Sequence, residues 1–343
     1  VAQQERNTSK RSVLAQGLGF GGLIIAALVF LFLLYDSHLS FAYDDSMKRR
    51  QQGILTGMPF MSNIAPRTFV DNHGRKLYLA TPPKRIVSLA PSVTELLFAL
   101  GLDDEIVGVT EFCNFPPQAK TKPKVGYSSP NLESIVRLEP DLVLAPRAFL
   151  RADLLSKFEE LKIPTFILEA KLIEDIYSQI LTLGRMLGKT PEAITLSTAM
   201  RKRVGTLTAL VENLPRRSVL YILNTEPLIT VGPGSYVHHL IELAGGRNIA
   251  EKAAMPYPRL DMEEVLRQNP DVLIFSGGKF GGIPDVEHTK WARWKSITAV
   301  QQGALFEIES DLINRPGPRV VEGVEALIRI IHPNVFPNSS PSR

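Results

Sequence analysis

Residues 132–143, Leu132-Glu133-Ser134-Ile135-Val136-Arg137-Leu138-Glu139-Pro140-Asp141-Leu142-Val143, recur 130 positions later as Met262-Glu263-Glu264-Val265-Leu266-Arg267-Gln268-Asn269-Pro270-Asp271-Val272-Leu273. Glu133, Arg137, Pro140 and Asp141 return as Glu263, Arg267, Pro270 and Asp271, and the apolar positions correspond. Each copy reads as a short helix, a Pro-Asp turn and a buried strand. A looser echo lies upstream of each, ELLFALG ending at Gly101 and LIELAGG ending at Gly246. Two copies of one unit predict two similar lobes, each with a glutamate at the start of an equivalent helix.

Outward from these copies, short apolar runs bounded by Pro, Gly or Asp alternate with helical stretches from Arg67 onward. Runs 86–90, 106–109, 142–145 and 165–168 fall in the first half, and 219–223, 272–275 and 305–308 in the second. Continuous apolar runs separated by helices predict strands buried on both faces of a parallel sheet. Residues 92–100 carry helical spacing, with Ser92 or Thr94 as the expected cap and Gly101 as the stop. Apolar residues at 173, 176, 180, 183 and 187 make one face of another helix. Thr190-Pro191-Glu192 then supplies an N-cap, a proline at the first helical position and an early acid. The helix it opens is expected to reach about Asn213 before Pro215 ends it, with Leu196, Met200, Val204, Leu207 and Val211 as the buried stripe. At ~34 Å it would be a stiff strut between the halves, the alternative being a helix wholly within one lobe. The expected fold class is therefore α/β, two lobes joined by a single long helix, with an apolar export or anchor helix at the N-terminus. The expected organisation is 1–42 signal peptide or membrane anchor, 43–66 linker, 67–188 N-terminal lobe, 189–214 inter-lobe helix, 215–336 C-terminal lobe and 337–343 tail.

A chain of 343 residues exceeds one ordinary core. Its 44% hydrophobic and 22% charged residues are those of a globular protein. The net charge of +4 owes part to Arg6, Lys10 and Arg11, and no basic stripe interleaved with aromatics follows. Nucleic-acid binding is therefore not expected. Cys113 is the single cysteine, which excludes an intramolecular disulfide, a Cys-rich metal site and lipid attachment through an N-terminal cysteine. Residues 18–35, LGFGGLIIAALVFLFLLY, contain no charge and would span ~27 Å as a helix. Basic residues ahead of this run place the N-terminus in the cytoplasm and the remainder outside. Ser40-Phe41-Ala42 offers a cleavage site after Ala42, so the run is a signal peptide or a retained anchor.

Catalysis finds no support. There is no G-x-S-x-G, no H-E-x-x-H and no metal-spaced His/Asp cluster, so no enzyme, metal or cofactor is expected. Residues 184–190, GRMLGKT, resemble a phosphate loop but are one residue short and end a helix instead of opening one. His238 and His239 point roughly 100° apart on a helix and make a poor chelate, so a surface or interface pair is expected. The candidate ligand contacts sit in loops at the carboxyl ends of strands, where open α/β sheets bind ligands. Pro91 and Ser92 follow the first strand. Phe112 and Phe115, next to Pro116-Pro117, follow the second, and Tyr127 and Ser128 precede Glu133. The second half offers Pro256 and Tyr257, then Asp311, Arg315 and Arg319 in DLINRPGPR (311–319). Aromatics held by prolines give rigid flat walls, and an Asp/Arg pair orients polar substituents. The expected site is a broad pocket with few charges.

RIVSLAPSVTELLFALG (85–101), FPPQAK (115–120), NLESIVRLEPDLVLA (131–145), LIELAGGRNI (240–249), MEEVLRQNPDVLIF (262–275) and NRPGPRV (314–320) together resemble the cobalamin- and iron-siderophore-binding proteins of ABC importers. The match runs in order from about Thr68 to Pro333. The resemblance implies two Rossmann-like lobes joined by one long helix, the helical-backbone periplasmic binding protein fold, with little closure on binding. Within that family the chain is most similar to the cobalamin binders, through FPPQAK, Pro256-Tyr257-Pro258 and DLINRPGPR. Carried over by motif, Tyr257 would stack on a corrin edge and Asp311 and Arg315 would bond its amides. Tyr127 or Ser128 occupies the region of a ligand-stacking tryptophan. Glu133 and Glu263 would each pair with an arginine on one of two permease subunits, a partner that two similar lobes suit. For each glutamate alone, the plainer role is a helix-start carboxylate favoured by the macrodipole. The expectation is an exported, monomeric, non-enzymatic protein that delivers a corrinoid to an ABC importer permease dimer. Haem or a ferric siderophore is the alternative ligand, and a membrane-anchored sensor or an extracytoplasmic enzyme is the competing class.

Overall fold

The seven apolar runs are strands, and they sort into two sheets of like order. The computed structural model describes residues 67–126, 130–277 and 289–336, all within one compact unit, Ile64–Arg343. The expected signal or anchor segment, the linker to residue 66, the tail 337–343, Tyr127 and Ser128 lie outside the described residues. A short antiparallel pair, β1 (Arg67–Val70) and β2 (Lys76–Leu79), comes first. Then β3 (Ile86–Ser88), β4 (Ile106–Val109), β5 (Leu142–Pro146) and β6 (Thr165–Leu168) form a parallel sheet in the order β4-β3-β5-β6. In the second sheet β7 (Arg217–Thr225) pairs in parallel with β9 (Gly246–Asn248) and with β10 (Val272–Gly277), which pairs with β11 (Leu305–Glu309). An antiparallel edge, β8 (Leu228–Thr230), adds to β7.

The repeat is written into the register of these sheets. Ile86 faces Leu142 across β3 and β5, and Val219 faces Val272 across β7 and β10. The Pro-Asp turn explains why. Asp141 accepts hydrogen bonds from the Lys84 and Arg85 amides at 2.7 and 2.9 Å, while its own amide donates to the Arg85 carbonyl. Asp271 accepts from the Ser218 amide and hydroxyl, both at 2.7 Å, and its amide donates to the Ser218 carbonyl. In each half the turn aspartate ties the entering strand to the head of its central neighbour.

Side chains alternate across each strand. Leu142, Leu144, Phe166 and Leu168 enter the main core, whereas Val143, Ala145 and Ile167 face a second cluster with Ile135 and Phe158. Both faces of the first sheet are therefore apolar, as continuous runs demand. The helices that cover the sheets are α1 (Pro91–Ala99), α2 (Leu132–Arg137), α3 (Ala152–Glu160), α4 (Ile173–Leu187), α5 (Thr190–Ala209), α6 (Tyr236–Leu243), α7 (Met262–Gln268), α8 (Thr298–Gln301), α9 (Ser310–Ile313) and α10 (Val320–Ile331). Side chains of Asn131 and Asp261 cap α2 and α7, each accepting from an amide three residues on at 2.8 Å. Among the described residues, no helix is long and apolar enough to cross a membrane.

Three local expectations change. Neither Ser92 nor Thr94 caps α1. The N-cap is Ala90, with Pro91 in the first turn, and the Thr94 hydroxyl lies inside against Ser88 Oγ at 2.8 Å and Cys113 Sγ at 3.1 Å. The helix expected to reach Asn213 stops at Ala209, because Leu210 and Val211 donate to carbonyls only three residues back and tighten the chain into turns. Val211, the last residue of the expected stripe, is still buried, but beyond the helix. The partner of Gly101 is Gly245, not Gly246: both follow a helix and hold positive φ, 69° and 74°.

Between the two sheets the chain runs through α4 and α5. Their corner is the GRMLGKT stretch, where a Cβ on Gly184 would lie 2.2 Å from that of Ala193, so the two helices meet at backbone distance. Farther along, α5 packs on α10 and carries the Arg203–Glu325 ion pair to it.

Candidate ligand-binding cleft

Both sheets point their carboxyl ends at one cleft of about 880 Å³. On the first-half side, the uncapped first turn of α1 brings Pro91 and Ser92 to its edge, the loop after β4 brings Phe112, and the turn after β5 brings Arg147 and Phe149. Glu169 and Lys171 follow β6 at the rim, 3.9 Å apart. On the other side, Tyr236 opens α6 at the cleft wall; its hydroxyl is buried, and that burial pushes the phenol well above the usual value.

Pro256 and Tyr257 reach the cleft on a segment laid along the β8 edge. The Thr230 and Gly232 amides donate to the Pro258 and Pro256 carbonyls at 3.1 and 2.8 Å. A Cβ at Gly232 would come within 2.7 Å of the Met255 carbonyl oxygen, so glycine is what lets the segment lie flat. Tyr257 is left 58% exposed, a ring with a free face at the mouth of the cleft.

The floor is polar and joins the halves. Arg315 Nη1 donates to Glu95 Oε1 at 3.1 Å and to Asn114 Oδ1 at 2.7 Å. Its Nη2 meets Asp311 Oδ1 at 2.7 Å and the Phe112 carbonyl at 3.3 Å. Asn114 Nδ2 donates to Asp311 Oδ2 at 3.1 Å. Arg319 grips Glu95 through Nε at 2.9 Å and Nη2 at 2.8 Å. These hydrogen bonds to Glu95 hold the Arg319 guanidinium above its ordinary pKa against the opposing effect of burial. From below, Asn314 accepts from the Tyr221 hydroxyl at 3.2 Å and donates to Ser276 Oγ at 3.0 Å.

The fold thus gathers Pro91, Ser92, Phe112, Pro256, Tyr257, Asp311 and Arg315 around one cavity. It places Phe115 and Arg319 elsewhere. They line a separate hollow of about 380 Å³ behind Glu95, with the Arg319 guanidinium 4.2 Å from the centre of the Phe115 ring. Glu95, Asn114, Phe149 and Tyr236 were not anticipated. Glu95 had a signal: a lone acid among Val93, Leu96 and Leu97 needs a buried cation, and Arg315 and Arg319 stand four apart in a distant loop.

Outside the cleft, Glu133 and Glu263 are exposed in the first turns of α2 and α7. Glu133 pairs with Arg137 at 3.0 Å, whereas Arg267 pairs with Glu264 at 2.6 Å in place of Glu263. His238 bonds Asn248 of β9, and His239 lies 3.5 Å from Glu174 of α4, so the two rings face different elements. Among the described residues no group of three His, Cys, Asp or Glu could hold a metal.

The family model of periplasmic binding proteins matches residues 86–312. A vitamin B12-binding protein of Vibrio vulnificus is 31% identical over 248 residues, covering 72% of this chain and 89% of its own. The crystal structure of the periplasmic vitamin B12 binding protein of Vibrio cholerae superposes with a TM-score of 0.66 at 29% identity, covering 73% of this chain and 97% of its own. A periplasmic haem-binding protein of Roseiflexus shares the fold with a TM-score of 0.66 at 24% identity, over 74% of this chain and 99% of its own. With a match that runs from residue 86 to residue 312 of 343 and strand ends that converge on one cleft, this chain belongs to the periplasmic binding protein family.

Proposed function

We propose that the protein captures a corrinoid in this cleft and delivers it, outside the cytoplasm, to an ABC importer, with no chemical step on its cargo. The carrying observation is the pairing of aromatic walls at Phe112, Phe149 and Tyr257 with a polar floor at Asp311 and Arg315 in one cavity of about 880 Å³. A flat macrocycle stacks on such walls while its amide substituents take hydrogen bonds from the floor. The relatives named for vitamin B12 support the corrinoid, and the haem binder of like fold supports haem as the second reading. In this reading α5, ~30 Å long, is the strut between two Rossmann-like lobes, and Glu133 and Glu263 dock one lobe each on a permease of two subunits. Titration of the monomeric soluble part with cyanocobalamin, followed by absorbance and calorimetry, tests the ligand. Saturable one-to-one binding is expected, and saturation by haem with none by cobalamin would replace the first reading with the second.

A further inference from the structure

The floor holds two guanidiniums and two carboxylates, and half of them touch the cleft. Arg315 and Asp311 line it, whereas Glu95 and Arg319 stand behind. Glu95 has a side chain only 2% exposed, so its charge is spent on these two arginines and not on solvent. A guanidinium has five N–H donors. Arg315 commits both terminal nitrogens, to Glu95 and Asn114 on one and to Asp311 and the Phe112 carbonyl on the other. What remains for a ligand is Nε, enough for one carbonyl oxygen but not for the two-pronged grip a carboxylate takes.

We propose that Glu95 is a specificity-determining residue that never meets the ligand: by saturating Arg315 and balancing Arg319 it makes the cleft floor neutral, favouring ligands with amide or carbonyl substituents over ligands with carboxylates. Without Glu95 the same floor sets two cations against Asp311 alone. Charges shielded from water act over several ångströms, so Arg319 counts even from behind. The inference rests on the cleft being the corrinoid site.

The test titrates wild type, Glu95→Gln, Arg319→Gln and the double variant with cyanocobalamin, which carries amides, and with haem, which carries propionates. Glu95→Gln should move the affinity ratio toward haem by about tenfold, and Arg319→Gln should move it away. The double variant should return to within about threefold of wild type. Loosened packing would move both single variants the same way, so shifts of like sign, or none, overturn the proposal. Thermal denaturation in phosphate against chloride at matched ionic strength reads the floor without either ligand. Measured against the general stabilisation that phosphate gives the wild type, Glu95→Gln should gain extra stability in phosphate and Arg319→Gln should not; equal responses also overturn the proposal. A wild type that binds neither ligand overturns the corrinoid reading alone, and the phosphate comparison then decides the role of Glu95. If Glu95→Gln does not fold, Arg319→Gln against the double variant supplies the same contrast.

Discussion

Glu139 and Asn269 stand at the same point of the two halves and hold the same left-handed backbone, with φ of 45° and 44°. Each precedes the proline of a Pro-Asp turn, and the kink lets a helix give way to a strand within four residues. A Cβ is disfavoured in this conformation, less so for asparagine than for glutamate. Glu139→Gly should therefore raise stability by up to ~1 kcal/mol in urea denaturation, and Asn269→Gly by less. A destabilised Glu139→Gly would show that the left-handed turn carries no strain.

Tyr257 is exposed yet held on a fixed segment, so its loss should be felt by the ligand and not by the fold. Tyr257→Ala should weaken cobalamin by about three- to tenfold, an aromatic contact of roughly 0.5–1.5 kcal/mol, at an unchanged melting temperature. Gly232→Ala should weaken binding too, because the added methyl collides with the Met255 carbonyl and lifts the whole segment. Calorimetry on the two variants checks both.

The two helices proposed to dock, α2 and α7, differ in charge. Arg137 shares the charge of Glu133, but Arg267 is held by Glu264, an acid where the first copy has Ser134. Glu263→Ala should therefore weaken association with the reconstituted permease more than Glu133→Ala, by a few-fold, since exposed ion pairs are worth under ~1 kcal/mol. Ligand affinity should stay at the wild-type value in both; a loss there would refute a docking role.

His239 and His332 both sit below the ordinary histidine pKa of 6.5, burial being the first cause in each. Around His239, Glu174, Glu242 and Asp175 oppose the shift and His238 adds to it; around His332, the Gly245 carbonyl opposes it and Arg217 adds to it. The unfolded chain then binds more protons below pH 6.5, so stability present above that value is lost as pH falls. Asp71 and Glu325, depressed from 3.8 and 4.5, act the same way only at lower pH. Urea midpoints should drop from pH 7.5 to 5.5, and His332→Gln, which keeps a donor for the Gly245 carbonyl, should flatten that drop. An unaltered slope would remove His332 from the account.

The parts of this fold that rest on local chemistry were legible in the sequence. Apolar runs such as 272–275 fill both faces of a sheet, and the repeat around Pro140 and Pro270 carries its own turn and its own aspartate clamp. Pairings across the chain were not legible. Phe115 reads as a cleft wall because prolines follow it, yet its ring lies under Arg319 on the far side of Glu95. Thr94 reads as a helix cap, and only the buried position of Ser88 and Cys113 shows why its hydroxyl turns inward.

Glu95 and the arginine that grips it with two hydrogen bonds are separated by 224 residues. A polypeptide emerges from the ribosome, or from an export channel, amino end first, so Glu95 arrives long before its counter-ions. The first sheet can assemble around an acid that is still hydrated, but α1 cannot seal that side until the last quarter of the chain is delivered. A chain cut short before Arg315 would emerge with every strand of its first sheet but with Glu95 lacking both counter-ions.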